Sequence, residues 1–225
     1  MRVQLDNVSA SGGASLVLVD VTLGVGAGSR LGLVRPNGVG KTTLLEILGG
    51  LRDPDAGRVV RIPTTSTAGY LPQEPDGKPD ETLGGYLARR TGVAAAEAEL
   101  EAAAAALATD DGDEVRSAFA LEHLLTIGGP DLVPRSRAVC ADLGLGVGLD
   151  RPMVGISGGE RARAALAAIL LARFDILLLD EPTTDLDFDG LERLERFALG
   201  FGGALVVVSH DRAFLDSVVT RIVEI

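Results

Sequence analysis

Residues 31–43 read LGLVRPNGVGKTT. The apolar stretch RLGLV runs into a glycine-rich turn. The turn runs into KTTLLEILGGL, whose apolar residues 44, 45, 47, 48 and 51 fall at helical spacing, with Gly49 and Gly50 as stop signals. A strand, a glycine turn and a helix in that order point successive backbone N–H groups at an anion, and the helix N-terminus adds favourable partial charge. Arg35, Pro36, Asn37, Gly38, Val39, Gly40, Lys41, Thr42 and Thr43 follow the pattern G-x-x-x-x-G-K-[ST] except at its first position, where Arg35 replaces glycine. By that pattern Lys41 reaches terminal phosphates and the Thr42 hydroxyl ligates Mg²⁺. Two readings of Arg35 stay open. In one, the backbone there needs glycine, and arginine distorts the loop. In the other, the side chain points away, Gly38 and Gly40 do the phosphate work, and the guanidinium adds charge nearby.

Farther along, ILLLDEP at 176–182 has four apolar residues ending in two carboxylates. A buried central strand carries ligand-binding groups at its C-terminal end in an open α/β sheet. Asp180 there suits Mg²⁺, held through water, and Glu181 suits a general base facing a water. ISGGERARA contains Ser157-x-x-Glu160, a capping-box spacing, and Gly158 and Gly159 leave backbone amides at a helix start open to a phosphate. VVVSHD sets His210 just past another buried strand; a lone histidine there is usually structural or solvated, and beside a carboxylate and a phosphate site it could contact a γ-phosphate. Helices alternating with continuous Val/Leu strands imply an α/β fold, with a parallel sheet covered on both faces.

The bulk composition is consistent with this. The chain has 225 residues, enough for one domain or a domain with a small subdomain. Its net charge of −11 argues against sequence-independent nucleic-acid binding by this piece alone. The single cysteine, Cys140, excludes an internal disulfide and suits a reducing cytoplasm, with the thiol in the core. Met1 leads directly into the alternating RVQLDNV, so no signal peptide is expected. The longest apolar run, AALAAILLA at 164–172, is too short to span a bilayer. The first thirty residues read as short strands. In the middle, VAAAEAELEAAAAALA at 93–108 and EVRSAFALEHLLTI at 114–127 read as a helical hairpin broken by TDDGD. Leu100 and Leu107 give its first helix a narrow apolar seam, and Val115, Phe119 and Leu121 pattern the second.

The phosphate loop, GYLPQ, SGGE, LLLDEPTTDLD and VVVSHD, in this order and over nearly the whole chain, resemble an ATP-binding cassette (ABC) ATPase domain. The resemblance implies a P-loop NTPase fold of the cassette type: a mostly parallel central sheet, an N-terminal antiparallel β subdomain and an inserted helical subdomain. It divides residues 1–225 into a β subdomain and loop core at 1–75, a helical subdomain at 76–155 with an arm hairpin near 93–128, and the signature helix and C-terminal core at 156–225. It implies ATP and Mg²⁺ as ligands, with Thr42, Gln73 and Asp180 at the metal. Gln73 senses the γ-phosphate, Glu181 is the catalytic glutamate and His210 the switch histidine. Ser157, Gly158, Gly159 and Glu160 form the signature that binds ATP held by a partner cassette, and Asp185, Leu186 and Asp187 form the D-loop at that interface.

Within the superfamily the details look like the first cassette of a soluble ABC-F protein, a group whose members work on ribosomes. The Q-loop lies 157 − 73 = 84 positions before the signature, room for an arm like the one inserted in F-type first cassettes. On this resemblance the chain is a cytoplasmic ATPase and the first half of a tandem protein, or one domain of it. Its partners are a second cassette and the ribosome, in translation or antibiotic resistance, with no membrane span. The sequence departs from the pattern at Arg35, at Thr184 (mostly Asn in the F group) and at Ile156 (usually Leu). No aromatic residue precedes Tyr70, so the usual adenine-stacking side chain is missing. Two other functions remain open: the motor subunit of a transporter, and a non-catalytic pairing module silenced by Arg35.

Overall fold

The structure is a computed structural model, and it describes residues 1–13, 15–34, 40–72, 78, 80–107 and 114–225. It divides into two compact units, Met1–Pro75 with Phe174–Ile225, and Asp76–Arg173.

The first unit holds both sheets. β1 (Arg2–Gly12), β2 (Ser15–Gly26) and β4 (Ala56–Ile62) form an antiparallel sheet in the order β2-β1-β4. Alternation in β1 buries Val3 and Leu5 and then slips by one residue to bury Val8 and Ala10. The slip is a bulge at Asn7, whose φ is 50°. A compensating bulge at Asp20, also at φ 50°, restores the register in β2. Each bulged amide finds a hydroxyl across the ladder: Asn7 N–H donates to Thr22 Oγ1 at 3.1 Å and Asp20 N–H to Ser9 Oγ at 3.0 Å. Bulges leave a residue unpaired, and at these two the backbone amide is paired with a side chain instead. Gly57 sits opposite the first bulge at φ 85°, where a Cβ would lie 2.3 Å from the Asn7 carbonyl oxygen.

The second sheet is parallel and runs β5 (Ala68–Leu71), β6 (Ile176–Asp180), β7 (Ala204–Val208), β3 (Arg30–Val34), β8 (Arg221–Glu224). All five residues of β6 and of β7 are buried, the apolar runs at 176–179 and 204–208 as expected of central strands and Asp180 at the end of β6 with them. α1 (Lys41–Gly49) packs on β1, β5 and β6, and its Leu44, Leu45, Ile47 and Leu48 join one core with β1, β2, β3, β6 and β7. α7 (Phe188–Gly200) and α8 (Arg212–Val218) complete the unit. The parallel sheet and antiparallel N-terminal sheet agree with the α/β expectation.

The second unit is helical: α2 (Leu83–Arg90), α3 (Val93–Leu107), α4 (Glu114–Thr126), α5 (Leu132–Asp142) and α6 (Gly158–Leu171). Its limit is Arg173, after α6, where grouping by motif ended the helical part at residue 155. α6 packs on α5 and α2, which is why it belongs here. α3 and α4 pair as a hairpin, but their seam differs from the leucine stripe expected of them. Val93, Ala96 and Ala103 are buried on α3 and Ala120 on α4, while Leu107 is 40% exposed. Alanines let two helices approach closely, and the longer side chains are left on the outside. Val115, Phe119 and Leu121 are likewise exposed. Cys140 is buried in α5, and burial pushes its thiol up from the ordinary range.

Candidate functional site

The C-terminal ends of β6 and β7 meet the start of α1. α1 begins at Gly40, whose φ of 96° suits glycine, and no side chain caps it. Its first turn holds no acidic residue, so nothing within the helix itself offsets the partial positive charge of its start. By contrast α2, α6, α7 and α8 are capped by Thr82, Ser157, Asp187 and Asp211. Lys41, the first residue of α1, is 5% exposed, which is rare for lysine without a charged partner. Its Nζ lies 3.9 Å from Glu181 Oε1. The next residue, Thr42, donates from its hydroxyl to Asp180 Oδ2 at 2.7 Å.

Glu181 is held from several directions. Its backbone N–H donates to the Val208 carbonyl at 2.8 Å, which ties the turn after β6 to the end of β7. Its Oε2 accepts from the His210 backbone N–H at 3.0 Å, and its Oε1 lies 3.2 Å from His210 Nε2. Its φ is 50°, left-handed backbone that a residue with a Cβ adopts at a cost. Asp180 and Glu181 are both buried. The Lys41 ammonium therefore faces the Glu181 carboxylate, while the second buried carboxylate, Asp180, accepts from the Thr42 hydroxyl. His210 is the exposed member, and with Val34, Lys41, Ser209, Arg212, Leu215 and Glu224 it lines a cleft of about 380 Å³. Ser209 is buried, with its hydroxyl 3.2 Å from that of Thr183, and accepts from Asp211 N–H.

The donor chemistry suits Mg²⁺. A hydroxyl and a carboxylate are hard oxygen ligands, as this cation prefers. Among the described residues no group of three His, Cys, Asp or Glu side chains is arranged to hold a metal. Mg²⁺ typically keeps several waters and takes phosphate oxygens, with one or two protein groups. Thr42 and Asp180 are the residues that would hold it.

In the helical unit Ser157 caps α6 as its spacing predicts. Ser157 N–H donates to Glu160 Oε2 at 2.7 Å, and Glu160 N–H donates back to Ser157 Oγ at 3.2 Å. The Ser157 hydroxyl also donates to Glu160, and these hydrogen bonds hold the Glu160 carboxyl below its usual range. Gly158 and Gly159 are exposed, with open space where a Cβ would stand. Asp185, at φ 60°, and Leu186 lie in the turn before α7, and Asp187 caps α7 by accepting from Gly190 N–H at 2.9 Å. Arg35, Pro36, Asn37, Gly38, Val39 and Gln73 lie outside the described residues.

Motif spacing missed Tyr70 as a member of this site. Its hydroxyl lies 3.3 Å from Asp180 Oδ2. No sequence signal links residues 110 positions apart, and the contact follows from the register of β5 on β6.

The family model described as ABC transporter matches residues 18–184. The chain is 39% identical over 218 residues to the tylosin resistance ATP-binding protein TlrC of Streptomyces fradiae, covering 93% of this chain and 40% of the relative. It is 35% identical over 224 residues to the energy-dependent translational throttle protein EttA of Mycobacterium tuberculosis, covering 98% of this chain and 40% of the relative. The chain thus spans about 40% of the length of these relatives. Among solved structures, the dimeric structure of a bacterial ABC transporter cassette superposes with a TM-score of 0.69 at 21% identity, over 99% of this chain and 94% of that one.

Proposed function

We infer that this chain, which belongs to the ABC transporter family, binds ATP with Mg²⁺ and hydrolyses it as one cassette of a pair, in the manner of the ABC-F group. One observation supports the reading most: Lys41, Thr42, Asp180, Glu181 and His210 converge at the ends of adjacent parallel strands, beside an uncapped helix start. On this reading the α1 amides and the Lys41 ammonium bind the terminal phosphates. A water aligned by Glu181 attacks the γ-phosphorus while the bond to the β,γ-bridging oxygen breaks, giving ADP and phosphate. Glu181 takes the proton of that water, and His210 holds the γ-phosphate. Bound Mg²⁺ supplies neutralisation of the charge gathering on the phosphate oxygens. Gly158 and Gly159 present open amides, beside the Ser157 hydroxyl, to the ATP of the partner cassette, and Asp185, Leu186 and Asp187 line the same interface.

The relatives' names speak of tylosin resistance and of translational throttling. With the ABC-F likeness, they support the ribosome as the target and the cytoplasm as the location. Among the described residues no helix is long and apolar enough to cross a membrane. The deciding experiment is calorimetric titration of ATP·Mg into this chain and into Arg35→Gly. Binding by both at similar affinity supports the proposal and shows that the arginine is tolerated. Binding by the glycine variant alone makes the natural chain a silenced pairing module, and binding by neither overturns the ATPase reading.

A further inference from the structure

Tyr70 stands opposite Leu178 in the parallel pairing of β5 with β6, so Asp180 lies two residues farther along the neighbouring strand. At about 3.3 Å per residue that offset is about 7 Å, roughly the reach of a tyrosine side chain. The Tyr70 hydroxyl accordingly comes to 3.3 Å from Asp180 Oδ2, the same oxygen that accepts from Thr42 at 2.7 Å. Two hydroxyls from two elements, β5 and α1, thus converge on one oxygen of a buried carboxylate. The terminal torsion of an aspartate is broad when nothing holds it. Held twice at Oδ2, this carboxylate turns Oδ1 away from both hydroxyls. The ring of Tyr70 packs half-buried against the core, so it carries the hydroxyl on a fixed base.

We propose that Tyr70 is a positioning residue for the metal site, its hydroxyl fixing which Asp180 oxygen faces the cation that accompanies ATP. The proposal rests on the ATP·Mg reading above and adds a residue to it. Groups that orient a metal-binding carboxylate typically contribute 10- to 100-fold to metal affinity. A tyrosine is needed for this and a phenylalanine is not enough, because the ring's packing alone leaves Oδ2 with one donor among the described residues, Thr42.

Tyr70→Phe keeps the ring and removes the hydroxyl. The experiment titrates ATP into both proteins twice, with Mn²⁺ as the probe metal and with EDTA. The variant is expected to bind ATP·Mn about 10-fold more weakly than the natural chain and to bind ATP in EDTA equally well. Equal loss in both conditions means a merely structural role, and no loss means none; either overturns the proposal. A natural chain that binds ATP in neither condition overturns the ATPase reading instead. A second measurement, free of nucleotide, then still decides the contact. The chain has two tyrosines and no tryptophan, so Tyr86→Phe leaves Tyr70 as the sole emitter at tyrosine wavelengths. A carboxylate acceptor quenches phenol emission, so adding Asp180→Asn in that background should raise it. Unchanged emission in a protein whose circular dichroism is unaltered overturns the proposal.

Discussion

Glu181 carries two unfavourable features at once, a φ of 50° and a buried carboxylate. Each costs free energy, of order 1–3 kcal/mol for the backbone alone, and neither serves the packing of the sheet. Its Oε2 is anchored to the His210 amide while Oε1 faces both the His210 ring and Lys41, so one oxygen holds the side chain and the other faces the cleft. Glu181→Gln keeps the shape and removes the basicity. It is expected to slow ATP hydrolysis by about 10²–10⁴-fold and leave ATP binding in place, checked by phosphate release against nucleotide retained on gel filtration. Hydrolysis at an unchanged rate would remove Glu181 as the base. The sequence singled out Lys41, Thr42, Asp180, Glu181 and His210 by residue type and by place at strand ends and helix starts, and the fold brings the five together, which suits the phosphate and metal roles proposed for them. The backbone of Glu181 was not legible, since glutamate carries no preference for left-handed φ. Nor was the hydroxyl of Tyr70, whose partner is set by strand register and not by proximity in the chain.

At the scale of elements, what showed in the sequence was what apolar periodicity encodes. β7 is buried along its whole length because it is apolar along its whole length, and β6 is apolar up to Asp180, the buried carboxylate that closes it. α2 and α5 left weaker traces. α2 contains Gly84 and Gly85, poor helix formers, and it holds through the Thr82 cap and the burial of Leu83, Tyr86 and Leu87. α5 contains Pro134, tolerated because it sits in the first turn where its missing N–H has no intrahelical partner. The segment leading into α2 is tied to that helix's last turn by an ion pair. Arg89 donates from Nε to Glu81 Oε1 at 2.7 Å and from Nη2 to Oε2 at 2.9 Å, with both side chains largely buried. Those hydrogen bonds hold the Glu81 carboxyl below its ordinary value of 4.5. A carboxyl depressed by folding contributes stability that is complete above its unfolded value and is lost as pH falls through its lower folded value. The protein should therefore lose stability from about pH 4.5 downward. Glu81→Gln should cost about 1–2 kcal/mol at pH 7 and make the acid loss shallower, both read from urea midpoints across pH. A variant whose acid profile matches the natural chain's would show that Glu81 does not contribute.

For the whole molecule, the question is what one cassette can do alone. The ABC-F likeness assigns the signature at Ser157 to the ATP of a partner, so a site completed only by pairing should turn over slowly in a dilute chain. Each copy carries a net charge of −11, and two copies repel. Screening shortens that repulsion from about 30 Å at 0.01 M salt to about 8 Å at 0.15 M. ATP turnover per molecule is thus expected to rise with protein concentration, and to rise further between 0.01 and 0.15 M salt at fixed concentration. Glu181→Gln with ATP·Mg should shift this chain to a dimer in sedimentation velocity, because bound nucleotide persists where both copies contact it. Cutting the pair at the signature gives the complementary result: Ser157→Arg puts a bulky cation where the open amides of Gly158 and Gly159 would meet phosphate. It should abolish both the dimer and the concentration dependence while leaving ATP bound to each monomer. Fast turnover strictly proportional to protein concentration, with no dimer in any condition, would mean that a single chain completes its own site and that the signature takes no part in it.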